Sequence, residues 1–217
     1  MAEPATDREE KIRRIELLSQ RASTCPACDL SQTRTHVVFG DGNAGSPLML
    51  VGEGPGANED ATGVPFVGRA GKLLDECLRE AGMLRKHVYI TNVVKCRATL
   101  IADGRIQNRP PRPEESGTCV PLWLEKQIEI IQPRVILCLG APAANAIIHK
   151  NFRMLQERGQ WQESKYVKYA MAALHPAYIL RQEGEAYIAS RQFLIDDLIA
   201  AREKTIAAKN EPRATLF

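Results

Sequence analysis

Apolar residues first recur at helical spacing near the start of the chain. Between Asp7 and Ala22, Ile12, Ile15 and Leu18 fall on one face while Arg8, Lys11 and Arg14 occupy the rest. This pattern predicts an amphipathic helix whose stripe docks on a core. The next apolar block, Leu48 to Val51, is short and runs through Gly52 into the Gly- and Pro-rich GEGPG, which predicts a strand followed by a loop. Helical spacing returns from Gly71 to Ala81. Val88 to Val94, Val135 to Leu139 and Tyr169 to Leu174 are apolar or β-branched runs of strand length, and helices over Pro113–Ile131, Pro142–His149 and Glu185–Ala201 separate or follow them. Strands alternating with helices predict an α/β fold with a mostly parallel sheet covered on both faces. The stretch from Arg97 to Arg112, rich in Arg and Pro, reads as an irregular insert, and no internal repeat is present. A single domain over 1–203 is expected, followed by a polar, flexible tail over 204–217.

At 217 residues, with 44% hydrophobic and 25% charged residues, the chain is long enough for one substantial core. Its apolar runs all fall short of the roughly 20 residues that span a bilayer. Met1 to Arg14 is charged and lacks the apolar stretch of a secretory signal, so a cytoplasmic protein with no membrane partner is expected. A net charge of +3 suits a polyanionic partner only where the positive charge is clustered.

Six cysteines in such a compartment point to metal or catalytic use rather than to disulfides. Cys25-Pro-Ala-Cys28 has a spacing that lets two thiolates reach one metal centre. Cys96, after a strand, and Cys119, in or beside the next helix, can complete a set of four. Cys77 and Cys138 sit in apolar patterns and read as buried core thiols. Spacing alone leaves zinc and an iron–sulfur cluster both open, zinc being the commoner structural choice.

In parallel sheets, ligands bind beyond the carboxyl ends of the strands. The segments GEGPGANED, NVVKC and LHPAYILR each begin at the end of a predicted strand, although they are far apart in sequence. In these segments the chain resembles the family-four uracil-DNA glycosylases, the iron–sulfur members of the uracil-DNA glycosylase superfamily. The resemblance runs from Cys25 to Arg202. It is carried by Cys25-Pro-Ala-Cys28, FGDGN at Phe39–Asn43, VGEGPGANEDATGVPFVGRAGKLLD at Val51–Asp75, YITNVVKC at Tyr89–Cys96, PRPEE before Cys119, and HPAYILR from His175. It implies a three-layer α/β/α sandwich with a four-stranded, mostly parallel central sheet. It also implies a 4Fe–4S cluster on Cys25, Cys28, Cys96 and Cys119, and hydrolysis of the N-glycosidic bond of uracil in single- or double-stranded DNA, the opening step of base excision repair. A monomer is expected.

Three requirements of that chemistry find candidates. An extruded base needs an aromatic to stack on, and Phe66 in GVPFVG is the candidate. Uracil presents N3–H and O4, which one fixed amide pairs and cytosine's reversed pattern does not, so Asn92 is the candidate reader. Charge on the departing base needs a donor near O2, assigned to His175, with Glu53 and Glu59 as acids near the water or the sugar. Gly52, Gly54 and Gly56 allow close backbone approach to the uracil or its phosphate. Arg69, Arg181, Arg105 and Arg109, with Arg112 beside them, are candidate phosphate contacts, and Tyr178, Ile179 or Leu180 could supply a wedge.

The chain departs from the family in the longer stretch between Cys96 and Cys119, which contains GRIQNR at 104–109. A related branch that links itself covalently to uracil-containing DNA carries a reactive histidine in a similar basic loop. Gln107 is the nearest match here, and an amide is a poor nucleophile, so turnover is expected rather than covalent capture. An electron carrier leaves Glu53, Asn92 and His175 unexplained. A phosphate-loop protein needs a lysine and a serine or threonine after the glycines, where Ala-Asn-Glu stands.

Overall fold

A computed structural model describes residues 6–211 of the chain. Its frame is a run of strands buried on both faces. β2 (Leu48–Gly52) and β6 (Val135–Leu139) are buried at every position, as expected for the centre of a parallel sheet. β3 (Tyr89–Asn92) pairs parallel with β2, β2 with β6, and β6 with β7 (Tyr169–Ala173). The two-residue β1 (Asp41–Gly42) adds an antiparallel edge beside β3, giving the order β1-β3-β2-β6-β7. The four expected strands are all present, and the sheet is five-stranded because FGDGN contributes that edge.

Helices cover both faces. On one side lie α1 (Asp7–Ser23), α4 (Pro113–Cys119), α5 (Glu125–Ile131) and α6 (Ala141–Ile147), packed over a core that includes Met49, Val51, Ile136 and Cys138. On the other lie α3 (Arg69–Glu80), α8 (Pro176–Ile179) and α9 (Gly184–Ala207), over Leu50, Leu74, Ile90 and Leu137. Short helices α2 (Ala57–Thr62) and α7 (Met154–Glu157) fill loops. α1 starts in a reciprocal cap: Glu9 N–H donates to Thr6 Oγ1, and Thr6 N–H donates to Glu9 Oε2 at 2.8 Å. Cys77 and Cys138 are buried in these two cores, as their apolar settings predict. Among the described residues no helix is long and apolar enough to cross a membrane.

Three local readings of the sequence change. The segment 97–112 is not irregular: β4 (Thr99–Ala102) and β5 (Arg105–Asn108) form an antiparallel hairpin. Asp103 and Gly104 both take positive φ, +50° and +69°, the backbone of a tight turn whose twist matches the strands. The helix over 113–131 is interrupted by a π-helical stretch, Val120–Leu124, where Pro121 lacks the N–H that a regular turn needs. α9 continues to Ala207, beyond Ala201, and Glu211 after it accepts hydrogen bonds from Lys168 Nζ at 2.8 Å and from the Tyr169 hydroxyl. The remainder of the expected tail, 212–217, lies outside the described residues.

α3 packs so tightly on the preceding loop that a Cβ on Gly71 would stand 1.8 Å from the Phe66 carbonyl oxygen. Gly71→Ala is expected to lower stability by about 2 kcal/mol or more in denaturant unfolding. An unchanged midpoint would contradict this packing.

Candidate active site

Parallel pairing sets Gly52 beside Asn92 at the carboxyl ends of β2 and β3. A Cβ on Gly52 would lie 2.4 Å from Asn92 Oδ1 and 2.6 Å from Phe66 Cζ, so only glycine lets both side chains close over this point. Asn92 is 2% exposed, and its Oδ1 has no hydrogen-bond partner among the described residues. An orphaned buried acceptor is costly unless a ligand satisfies it. The Asn92 carbonyl accepts from Lys95 Nζ at 2.6 Å, and the same ammonium donates to Thr91 Oγ1 at 2.7 Å and Gln127 Oε1 at 2.6 Å. These three contacts fix the end of β3.

Phe66 is held in the left-handed region, φ +53°, unusual for a residue with a side chain. Its neighbours impose that conformation. Arg85 Nη1 donates to the Phe66 carbonyl at 3.1 Å, while the Val67 and Gly68 N–H groups donate to Glu59 Oε1 at 2.9 and 2.8 Å. Glu59 Oε2 accepts from Gly56 N–H at 3.1 Å. The Glu59 carboxylate, read from sequence as a catalytic acid, is therefore engaged by three backbone donors and ties the GEGPG loop to the Phe66 loop.

His175 follows β7 and caps α8. Its Nδ1 accepts from Ala177 N–H at 3.0 Å, which leaves the ring proton of the neutral form on Nε2. Burial, reinforced by the Arg181 charge, pushes the imidazole down to about 4, so the ring is a neutral donor at physiological pH. It lies 5.7 Å, centroid to centroid, from the Phe66 ring, tilted by 33°.

These groups share a cavity of about 410 Å³, lined by Glu53, Glu59, Phe66, Asn92 and His175 together with Asn108. Burial alone raises the Glu53 carboxyl, with no partner opposing it. Gly54 and Gly56 line the cavity, while Gly52 is absent from its wall and acts beneath it, through the close approach described above. A second cavity, of about 450 Å³, shares Glu53 and His175 and adds Tyr178 and Arg181.

Arg69, at the start of α3, lines the first cavity. Arg105 is exposed on β5. Arg109 also lines the first cavity, and its guanidinium donates to both Glu115 oxygens, at 2.8 and 2.6 Å, and to the Thr99 carbonyl at 3.0 Å, anchoring the hairpin. Of the three residues considered for a wedge, Tyr178 is exposed, Leu180 packs against the core and Ile179 is fully buried.

Cys25, Cys28, Cys96 and Cys119 line one cavity beneath α1, and none is in a disulfide. Arg34 Nη1 donates to Cys96 Sγ at 3.6 Å, and Lys95 borders the same cavity. Four thiols beside the Arg34 guanidinium suit a thiolate-held group that carries net negative charge. Among the described residues no three His, Cys, Asp or Glu side chains are gathered to hold a single metal ion.

Three residues that the sequence reading passed over help build the site. Lys95 is a charged residue inside a buried run, a conflict that itself signals a dedicated set of acceptors. Arg85 grips the Phe66 loop from 19 residues away, and only folding reveals that contact. Asn108 reaches the cavity because Asp103-Gly104 turns the chain back, a hairpin signal legible in the sequence.

Residues 39–199 match the family described as the uracil DNA glycosylase superfamily. The type-4 uracil-DNA glycosylase of Thermotoga maritima is 43% identical over 192 residues, covering 87% of this chain and 93% of that protein. That of Sulfurisphaera tokodaii is 36% identical over 203 residues, covering 90% and 86%. That of Archaeoglobus fulgidus is 48% identical over 126 residues, covering 58% and 59%.

The folded-state pKa of His175 lies below its ordinary value of 6.5, so the ring stays neutral as pH falls from 6.5 toward about 4. Over that interval the unfolded chain takes up the proton first, and the stability tied to the neutral ring is lost. Nitrogen-resolved NMR is expected to show His175 as the Nε2–H tautomer, without titration between pH 7.5 and 5. A midpoint near 6.5 would contradict the assignment.

Proposed function

The chain belongs to the uracil-DNA glycosylase superfamily, and we infer that the cavity at the strand ends is where this uracil-DNA glycosylase hydrolyses the N-glycosidic bond of uracil in DNA. The observation that carries the site assignment is the orphaned Asn92 Oδ1 in a cavity wall shared with Phe66 and the Nε2–H of His175. Uracil extruded from the stack lies against Phe66, with its N3–H on Asn92 Oδ1 and its O4 on the Asn92 amide hydrogens. Cytosine offers an acceptor at N3 and a donor at C4, leaving buried groups unpaired on both sides, a mismatch costly enough to reject it.

As the C1′–N1 bond lengthens, negative charge develops on the ring and positive charge on the sugar. His175 donates from Nε2 to O2, and because the imidazole starts neutral, no buried cation has to be maintained before reaction. Glu53 orients the water and takes its proton as the water oxygen bonds C1′, and that proton neutralises the departing uracil. Its raised pKa makes it a better base than an exposed carboxylate. Glu59 is a positioning residue that holds the two loops together. Arg69, Arg181 and Arg105 bind phosphates, and the protein acts as a cytoplasmic monomer on uracil-containing DNA.

Cys25, Cys28, Cys96 and Cys119 would hold a 4Fe–4S cluster. When bound it supplies a structural cross-link between the segment after α1, the end of β3 and α4. This chain's part is to present four thiols with Arg34 and Lys95 beside them.

Uracil-containing DNA incubated with the protein is expected to break at the uracil after alkali, giving a shortened strand on a denaturing gel and no protease-sensitive shifted band. Asn92→Ala and His175→Ala should each lower the single-turnover rate by about a hundredfold or more. Full activity in either variant would remove it from the site. The purified protein should contain iron and acid-labile sulfide in equal amounts, and Cys96→Ser should lose both together with its visible absorbance. Stoichiometric zinc without sulfide would replace the cluster assignment.

A further inference from the structure

The hairpin of β4 and β5 presents an apolar surface that its own fold leaves bare. Ile101 is 80% exposed and Ile106 66%, and the two are direct cross-strand partners. Partners in an antiparallel ladder share a face, as do residues two apart along a strand. Thr99, Ile101, Ile106 and Asn108 therefore form one face, and Leu100, Ala102, Arg105 and Gln107 the other. Asn108 lines the uracil cavity, so the isoleucine pair extends outward from the cavity wall on the same face. Gln107, on the opposite face, is not part of that wall.

The hairpin is anchored at its root. Arg109 N–H donates to the Ala98 carbonyl at 3.0 Å, Arg97 Nε donates to Asn108 Oδ1 at 2.7 Å, and the Arg109–Glu115 pair locks the base to α4. With Arg109 paired to Glu115, Arg97, Arg105 and Arg112 stand against one acid, Asp103, between residues 97 and 112, a charge balance that suits a polyanion. An apolar pair amid arginines at the edge of a base-binding cavity has the makeup of a side-chain wedge, which slides between base steps while cations hold the phosphates.

We propose that Ile101 and Ile106 form a wedge that packs against the bases flanking the extruded uracil, filling the space it leaves in a duplex. This rests on the glycosylase reading of the cavity. The wedge compensates for lost stacking, a cost that a duplex imposes and a single strand largely lacks.

The test compares the full-length protein with the Ile101→Ser/Ile106→Ser double variant, whose exposed positions leave the core untouched. The double variant is expected to lose at least tenfold in kcat/KM on uracil paired with adenine in a duplex and no more than about twofold on the same strand unpaired. Loss of equal size on both substrates, or none on the duplex, overturns the wedge, the second result leaving the patch to a protein partner. A binding readout separates this from the enzymatic reading. A duplex with cleavage-resistant 2′-fluoro-deoxyuridine next to 2-aminopurine should brighten on binding the unaltered protein and brighten at most half as much with the double variant at saturation. If the unaltered protein releases no uracil from either substrate, the glycosylase reading fails. The fluorescence then decides the hairpin alone, and equal brightening with both proteins overturns it.

Discussion

The missing side chain at Gly52 is the constraint on which the pocket depends. Parallel pairing of β2 with β3 brings Asn92 alongside it, and α3 presses the Phe66 loop in from above, so one point at the strand ends must accommodate an amide oxygen and an aromatic edge together. Any Cβ there would displace one of them. The rest of the site elaborates this contact: Gly71 admits the Phe66 carbonyl, Arg85 and Glu59 grip its loop, and Lys95 ties down the carbonyl of Asn92. The pocket is therefore preformed on rigid elements, and the Asn92 acceptor finds no protein partner among the described residues.

The electrostatics follow from the same closure. Burial favours the neutral forms of both Glu53 and His175, although one is an acid and the other a base. For the histidine this fixes a directional donor without adding a buried charge. For the glutamate it produces a carboxylate ready to accept a proton. In the proposed reaction, charge moves onto the leaving base in surroundings where a hydrogen bond is worth more than it is in water.

Much of this was legible in the sequence, for identifiable reasons. β2 and β6 are uniformly apolar, so their burial on both faces followed directly, and topology then sent the three loops after β2, β3 and β7 to one end of the sheet. Phe66, Asn92 and His175 meet there for that reason. Contacts across sequence distance were not legible. Glu59 reads as a free acid until its three backbone donors are seen, and the pairing of Arg109 with Glu115 shows only in the folded chain. The hairpin was a different case, since Asp103-Gly104 between apolar pairs carries the turn signal and the surrounding arginines and prolines masked it.

A crystal structure of the protein with free uracil measures the central claim most directly. The account predicts the base stacked on Phe66, with Asn92 Oδ1 and His175 Nε2 within about 2.7–3.2 Å of N3 and O2, and Gly52 unmoved beneath them. Uracil bound elsewhere, or an Asn92 oxygen still without a partner once the base is in place, would contradict it.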